Sequence, residues 1–525
     1  MSDIAALVAD NLDIWTGAIE RKSGAGRGGG KRISLYGIER LQGLILDLAV
    51  RGKLVPQDPA DESAGELLKR IPADWAASRR RNRSNAKQAN EIGSAIVPVG
   101  WIAIPGNTIF RTRSGNSKLI KGKLHAEDGP ERYKGYSASG QDVWLDSWEH
   151  EGAAIILSAV GARCGKAFLA RGKWSAVANT HIIWLKEDVT DAEFAMLVLN
   201  NEDFWERAGG AQPFVKVGNT LDRDFLLPPL AEQRRIVAKV DELMGLCAAL
   251  ERESTDALAT HQTLVETLLA TLVNSADAAD LTANWARVES HFDTLFTTEV
   301  SIDALKQTIL DLAVRGMLVE QDAANWPVEP LGKYVKDAAA GWSPKCIETP
   351  RTGDNWGVLK VSAVTWGRFQ PEENKELPSS LEPRPEIEVA PGDFLISRAN
   401  TADLVARSVV VPLDAPKKLM MSDKIIRFRF NDKIDPEYVN LVHASPVARA
   451  YYARVAGGTS SSMKNVSQAQ IRALEIPIPP LAEQQSVVAK VDKLMAICDA
   501  LKARLADAAD TRRNLADAIV ERAAS

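Results

Sequence analysis

No apolar run in this chain reaches the roughly 18 residues that a membrane-spanning helix needs. Cysteine is scarce as well: Cys164, Cys247, Cys346 and Cys498 lie far apart and form no CxxC pair. That excludes a zinc ribbon and argues against a disulfide framework. The opening MSDIAALVADNLDIW carries acids where a signal peptide carries lysines, so secretion is not expected and the chain reads as cytoplasmic. Basic residues are not in excess, the net charge being −5. An acidic total does not exclude nucleic acid, because phosphate contact depends on local Lys and Arg. It requires only that basic faces be patches. The rest of the composition, 45% hydrophobic and 25% charged, is that of a soluble globular protein. At roughly 100–200 residues per domain, the length suggests three or four units.

The dominant feature is internal duplication. Residues 38–58, IERLQGLILDLAVRGKLVPQD, return 264 positions later (302 minus 38) as IDALKQTILDLAVRGMLVEQD. Residues 227–250, LPPLAEQRRIVAKVDELMGLCAAL, return 251 positions later (478 minus 227) as IPPLAEQQSVVAKVDKLMAICDAL. The segments between them, 98–226 and 327–476, are similar in length and unlike in sequence. The chain is therefore two copies of one unit: helix, variable globular domain, long helix. The boundaries expected are an N-terminal helical region with Gly/Arg-rich linkers (1–97), a globular domain (98–228), a central helical region (229–326), a second globular domain (327–477) and a C-terminal helix (478–525).

After Pro228-Pro229, apolar residues recur at alternating spacings of four and three: Ile236, Val240, Leu243, Cys247, Leu250, Ala257, Leu264 and Leu268. That is a heptad seam broken at Ser254 and His261. The second copy gives Val487, Val491, Leu494, Cys498, Leu501, Leu505, Ala508, Leu515 and Ile519, broken at Arg512. A helix from Ala231 to about Val273 would be roughly 65 Å long, and two such helices bury their stripes best as an antiparallel coiled coil with pseudo-twofold symmetry. The shorter repeat is a helix capped by Gly52 and Gly316, its apolar face packing on the long helices. Arg51 and Arg315, in its last turn, suit the helix dipole better than a DNA contact.

Both variable segments read as α/β (α+β). Strand-like runs are 153–161 and 181–188 in the first, and 355–364, 392–400, 408–413 and 424–430 in the second. A helix follows in each (191–208, 436–455), then a Gly-rich loop, GGAQPFVKVGN (209–219) or GGTSSSMKNVS (457–467). The run Arg449 to Val491 resembles the end of a target-recognition domain in the specificity subunits of type I restriction–modification systems. So do NWGVLKVSAVTWGRFQPEENKELP (355–378) and VAPGDFLISRANTADLVARSVVV (389–411). The first half matches more loosely, through SAVGARCGKAF (158–168) and LLPPLAEQRRIVAKVDEL (226–243).

The resemblance covers about residues 35–58 and 98–525 and implies a division of labour. Two target-recognition domains each read half of an asymmetric split sequence in double-stranded DNA, and the helices set the spacing. Methyltransferase subunits, two by this resemblance, dock on the scaffold and methylate adenine at N6. Motor-nuclease subunits join where restriction occurs. S-adenosylmethionine, ATP and Mg belong on those partners, with no cofactor or metal bound by this chain. The docking helices are expected to expose apolar surface. The Gly-rich stretch 23–32 and the Arg cluster 78–88 depart from the family pattern: the first suits a flexible linker, the second a solvated loop or a DNA-backbone arm.

Base readout needs Arg or Lys for guanine and Asn or Gln for adenine, on loops or helix ends. Segment 111–136 is rich in basic residues and contributes Arg111, Arg113, Asn116, Lys118, Lys121 and Lys123. Arg163 and Lys166 follow a strand end, and Gln212 and Lys216 lie on the first Gly-rich loop. The second domain offers Ser343, Lys345, Arg351, Thr352, Asn355, Arg398, Asn400, Ser460, Ser461, Ser462, Lys464 and Asn465. Half-sites about one turn apart, ~10 base pairs, suit two readers on one face of DNA.

Catalysis finds no residues of its own. LPPL and IPPL lack both ends of the [ND]PP[YF] motif of adenine methyltransferases. GARCGKA (161–167) fails the Walker A spacing, and no HExxH or GxSxG is present. The competing non-enzymatic function is a duplicated scaffold whose globular domains bind protein or glycan. The basic and amide residues on both Gly-rich loops favour DNA.

Overall fold

The computed structural model describes residues 4–22, 32–72, 75, 97–210, 212–318, 326–365, 367–460 and 463–524. The Arg cluster 78–88 and, but for Arg32, the Gly-rich stretch 23–32 lie outside them. The chain forms two compact units: residues 1–20, 34–254 and 511–525 in the first, and 21–33 and 255–510 in the second.

Each unit is built on the same three helical pieces. In the first, the helix Tyr36–Val50 buries Ile38, Leu41, Leu44, Ile45 and Leu48. They share a core with Ile236, Val240, Leu243 and Cys247 of the long helix Leu230–Val273, and with Ala516 near the end of the long helix Leu481–Ala524. In the second, Ile302, Leu305, Ile309 and Leu312 of the helix Glu299–Val314 join Val487, Val491 and Cys498, and Val265, Leu269 and Leu272. Each unit thus holds the start of one long helix and the end of the other, the order that antiparallel pairing requires. Both short helices end as expected. Gly52 (φ +69°) and Gly316 (φ +73°) turn left-handed, and the next N–H reaches back to Leu48 or Leu312 (2.9 Å each). Arg51 and Arg315 pair with Asp47 and Asp311 one turn earlier, a role internal to the helix.

The expected heptad seam holds only for the first half of each long helix. Ala257 and Leu264 are exposed, Leu264 by 51%, whereas Val265, Leu269 and Leu272 are buried. The second copy does the same: Leu515 is 45% exposed and Ala516 fully buried. From Ile236 to Leu272 the buried stripe makes ten steps over 36 residues (272 minus 236), the 3.6 repeat of a straight helix. A strict heptad drifts ~20° per repeat on such a helix, so one extra four-residue step brings the stripe back under cover. Leu246 (47%) and its repeat-mate Ile497 (56%) remain exposed.

The globular domains share a sheet order despite their dissimilar sequences. In the first, strands Arg111–Ser114, Thr180–Trp184, Ala154–Ser158 and Ala167–Ala170 lie side by side, each antiparallel to its neighbour. In the second, Val335–Ala340, Ile425–Phe430, Phe394–Ser397 and Ser408–Val410 repeat that order: first, fourth, second, third. Alternation sends Ile155 and Leu157 into the core shared with the helices, and Ala154 and Ile156 into a separate core against a second small sheet. Phe394 and Ile396 part from Leu395 in the same way.

Several expected elements are shorter. The helix over 191–208 is Ala192–Leu199, ended at Asn200. The helix over 436–455 is two, Pro436–Ala444 and Pro446–Val455, because Pro446 forces Ser445 into extended backbone. The strand over 355–364 stops at Leu359 and becomes a 3-10 turn. Both Gly-rich loops are hairpins, Arg207–Ala208 with Phe214–Val215, and Gly457–Ser460 with Met463–Asn465.

The repeated PPLAEQ joins domain to helix. Gln233 is fully buried; its Oε1 accepts from Asp191 N–H (2.6 Å), and its Nε2 donates to the carbonyls of Val189 (3.1 Å) and Pro228 (2.9 Å). Gln484 repeats this with Asp435 N–H (2.8 Å), Lys433 (3.1 Å) and Pro479 (2.9 Å). Asp191 and Asp435 are the N-caps of the two domain helices. The neighbouring glutamate faces the tryptophan that enters each domain. Trp326 Nε1 donates to Glu483 at 3.0 Å. In the first copy Glu232 is buried beside Trp101; burial raises the Glu232 pKa, and the Trp101 indole N–H opposes that rise.

Gln484→Ala, which strands one N–H and two carbonyls, is expected to lower stability by about 2 kcal/mol, read as a fall in the urea midpoint. On the seam, Val265→Ala is expected to lose about 2 kcal/mol and Leu264→Ala under about 0.5 kcal/mol. Equal losses would restore the heptad register.

Candidate nucleic-acid interface

Strand register decides which loops meet. In the first domain Ser114 stands opposite His181, and Ser158 opposite Thr180. The chain therefore leaves both strands at one end of the sheet, toward 115–123 and 159–166. The Gly-rich hairpin joins them through Gly161 N–H to the Pro213 carbonyl (2.8 Å) and Val215 N–H to the Ala159 carbonyl (2.9 Å). Asn116, Lys118, Arg163, Lys166 and Gln212 are brought to this end.

The second domain gathers the same way. Ala340 stands opposite Ile426 and Ser397 opposite Ile425, so segments 341–345 and 398–407 emerge together. The hairpin joins through Ala399 opposite Asn465 and Asn400 opposite Lys464. Ser343, Lys345, Arg398, Asn400, Lys464 and Asn465 belong to this end. Ser343 hydroxyl donates to Asp423, and Lys464 Nζ donates to the Gly458 carbonyl (2.8 Å). Ser460 closes the first hairpin strand, and Ser461 and Ser462 lie outside the described residues.

The remaining candidates stand elsewhere or are engaged. Arg111 pairs opposite Trp184, three residues or ~10 Å back along the strand. Arg113 is exposed opposite Ile182, near His150, whose pKa is lowered first by burial and also by this arginine. Lys121 pairs with Asp142, while Lys123 is exposed on the same 3-10 turn. Asn116 donates to Glu149 (2.5 Å). Lys216 pairs with Glu206 (2.6 Å), and that bond holds the Glu206 pKa below its ordinary value. Arg351, Thr352 and Asn355 form a turn on the smaller sheet: Thr352 N–H and Asn355 Nδ2 donate to Glu376 (2.7 and 3.1 Å), and Arg351 Nη1 donates to the Asn355 carbonyl (2.9 Å).

Arg207, Arg407 and Arg449 were not singled out by sequence, yet they border these loop ends. The signal lay in pairing the two domains strand by strand, which dissimilar sequences do not permit. Among the described residues no group of three or more His, Cys, Asp or Glu suits a metal. No described helix is long and apolar enough to cross a membrane.

The family model described as "Type I restriction modification DNA specificity domain" matches residues 387–509. The chain is 34% identical over 599 residues to the type I restriction enzyme EcoEI specificity subunit of Escherichia coli, covering 99% of each. It is 30% identical over 590 residues to the EcoAI specificity subunit of Escherichia coli, again covering 99% of each. A chain solved for the structural basis of complex assembly and conformational transition of the type I R-M system superposes with a TM-score of 0.50. It is 17% identical and covers 82% of this chain and 98% of its own, a likeness of fold.

Glu206 opposes cations at the first loop cluster, pairing with Lys216 and, at 3.4 Å, with Arg223. Glu206→Gln is expected to free Lys216, so that duplex DNA is retained to higher salt. An unchanged elution salt would mean that Lys216 faces away from the duplex.

Proposed function

Because the chain belongs to the specificity subunits of type I restriction–modification enzymes, we propose that its two sheet domains each read one half of a split, asymmetric DNA sequence. The chain is a sequence-specific DNA-recognition subunit and not an enzyme. Catalysis belongs to methyltransferase and restriction subunits of the complex. In this reading two methyltransferase subunits dock on the helical scaffold and methylate adenine at N6. S-adenosylmethionine, ATP and magnesium are then held by the partners.

The observation that carries the split-site reading is the repetition of one sheet order with unlike loops. The four-stranded order and the PPLAEQ junction occur twice, while the loop ends carry different side chains: Arg163 and Gln212 in one domain, Ser343, Arg398 and Asn400 in the other. A kept frame with changed ends suits two readers of different bases. Phosphate contacts would set register, and a few side chains would specify bases at ~1–3 kcal/mol each.

Host DNA mapped for N6-methyladenine, with and without this gene, is expected to lose methylation at one split motif on deletion. Exchange of residues 98–226 for those of a relative should then alter one half of the motif and leave the other. A motif altered in both halves, or methylated without the gene, would refute the assignment.

A further inference from the structure

The loop between the second and third strands of the main sheet is closed alike in both domains. In the first, Ser158 N–H bonds the Lys166 carbonyl (2.8 Å) and Gly165 N–H bonds the Ser158 carbonyl (2.9 Å). In the second, Ser397 N–H bonds the Arg407 carbonyl (2.8 Å) and Ala406 N–H bonds the Ser397 carbonyl (2.8 Å). The residue before each cation is left-handed, Gly165 at φ +97° and Ala406 at φ +58°. For alanine that conformation costs about 1–2 kcal/mol, so the fold holds this loop against a local preference. The common result is a cation at one place, Lys166 or Arg407, immediately before the return strand.

A second cation stands behind each. Arg449, on the helix Pro446–Val455, donates Nη2 to the Asp403 carbonyl (3.2 Å), which also takes Arg407 Nε (3.2 Å). Two guanidinium groups thus share one neutral acceptor. Arg449 Nη1 is buried with no hydrogen-bond partner, and among the described residues neither arginine forms an ion pair, although the single carboxylate of Asp403 acts on both. Burial, and then Arg407, push the Arg449 pKa down to about 10. In the first domain a Cβ on Gly165 would stand 3.3 Å from Arg207 Nη2, so this arginine lies against the equivalent loop. In the second domain two half-buried guanidinium groups face a single carboxylate, Asp403, and the positive charge left over is unfavourable unless an anion completes it. Other candidate cations, Lys121 and Lys216, are held in ion pairs; among the described residues Lys166 and Arg407 are not.

We propose that Lys166 in one domain, and Arg407 backed by Arg449 in the other, are equivalent seats for a backbone phosphodiester of duplex DNA. The proposal rests on the DNA-recognition role above and adds where each domain grips the strand. Such a contact fixes register without carrying sequence information, which suits a feature kept in both domains while the readout side chains differ. Arg407 is the contact. Arg449 is a positioning residue that holds the loop and raises the local potential.

The test uses the complex purified with its methyltransferase subunits, a duplex bearing its methylated motif, and a scrambled duplex. Affinity is measured from about 50 to 200 mM salt. Lys166→Gln and Arg407→Gln are each expected to reduce the slope of log affinity against log salt by about 0.9, and the double variant by about 1.8. The losses should be equal on both duplexes, with the methylated motif unchanged in vivo. Arg407→Lys and Arg449→Lys should keep the wild-type slope, while Arg449→Met reduces it. If Arg449 were merely structural, the methionine variant would shift the thermal midpoint and leave the slope alone. Unchanged slopes in folded glutamine variants, a loss confined to the motif duplex, or an altered motif overturns the phosphate seats. A wild-type complex that binds both duplexes equally overturns the recognition role itself.

Discussion

One buried amide holds each recognition domain to the scaffold. Where the chain leaves the domain it passes two prolines and turns at once into a long helix, and the first turn of the domain helix lies alongside. Three backbone groups meet there, one donor and two acceptors, and Gln233 or Gln484 satisfies all three. Glutamate has no amide donor and lysine no acceptor. The amide is a requirement of the junction, which explains why this residue returns in both copies while the domains beside it diverge. It also fixes the domain at the end of its helix.

That division explains how an acidic chain can bind an acidic polymer. Much of the surface charge is cancelled in local pairs, such as Lys239 with Glu242 and Lys375 with Glu348. At the loop ends the balance changes: Arg407 and Arg449 share the one carboxylate of Asp403, and Arg163 and Lys118 are exposed. The net charge of −5 describes the whole chain and says little about these few positions.

Architecture was legible wherever physics leaves a periodic or repeated trace. The duplication, the long helix starting beside Pro229 and the glycine caps are all set by local chemistry. The seam was misjudged beyond Leu250 because heptad and 3.6-residue spacings coincide over two turns and part over five. The split at Ser445 was available from Pro446, but the apolar spacing continues across it. Loop residues were legible as groups rather than singly. Lys166 and Arg407 correspond only through the backbone bonds of their strands, and Lys216 looks free until Glu206 is seen beside it.

Each recognition domain begins and ends on one short two-stranded ribbon. Ile102 faces Leu227 across the first and Val328 faces Pro477 across the second. Entry and exit are neighbours, so the chain of a domain joins the chain of the frame at a single place, like a stone in a setting, even though the domain's sheet also packs on the helices. Genetic recombination between relatives can therefore replace one stone whole, provided both breakpoints fall in the repeated frame. On the proposed split-site reading, a lineage would not need to evolve a new target one base at a time: exchange of one domain would bring in half of a target and leave the other half as it was.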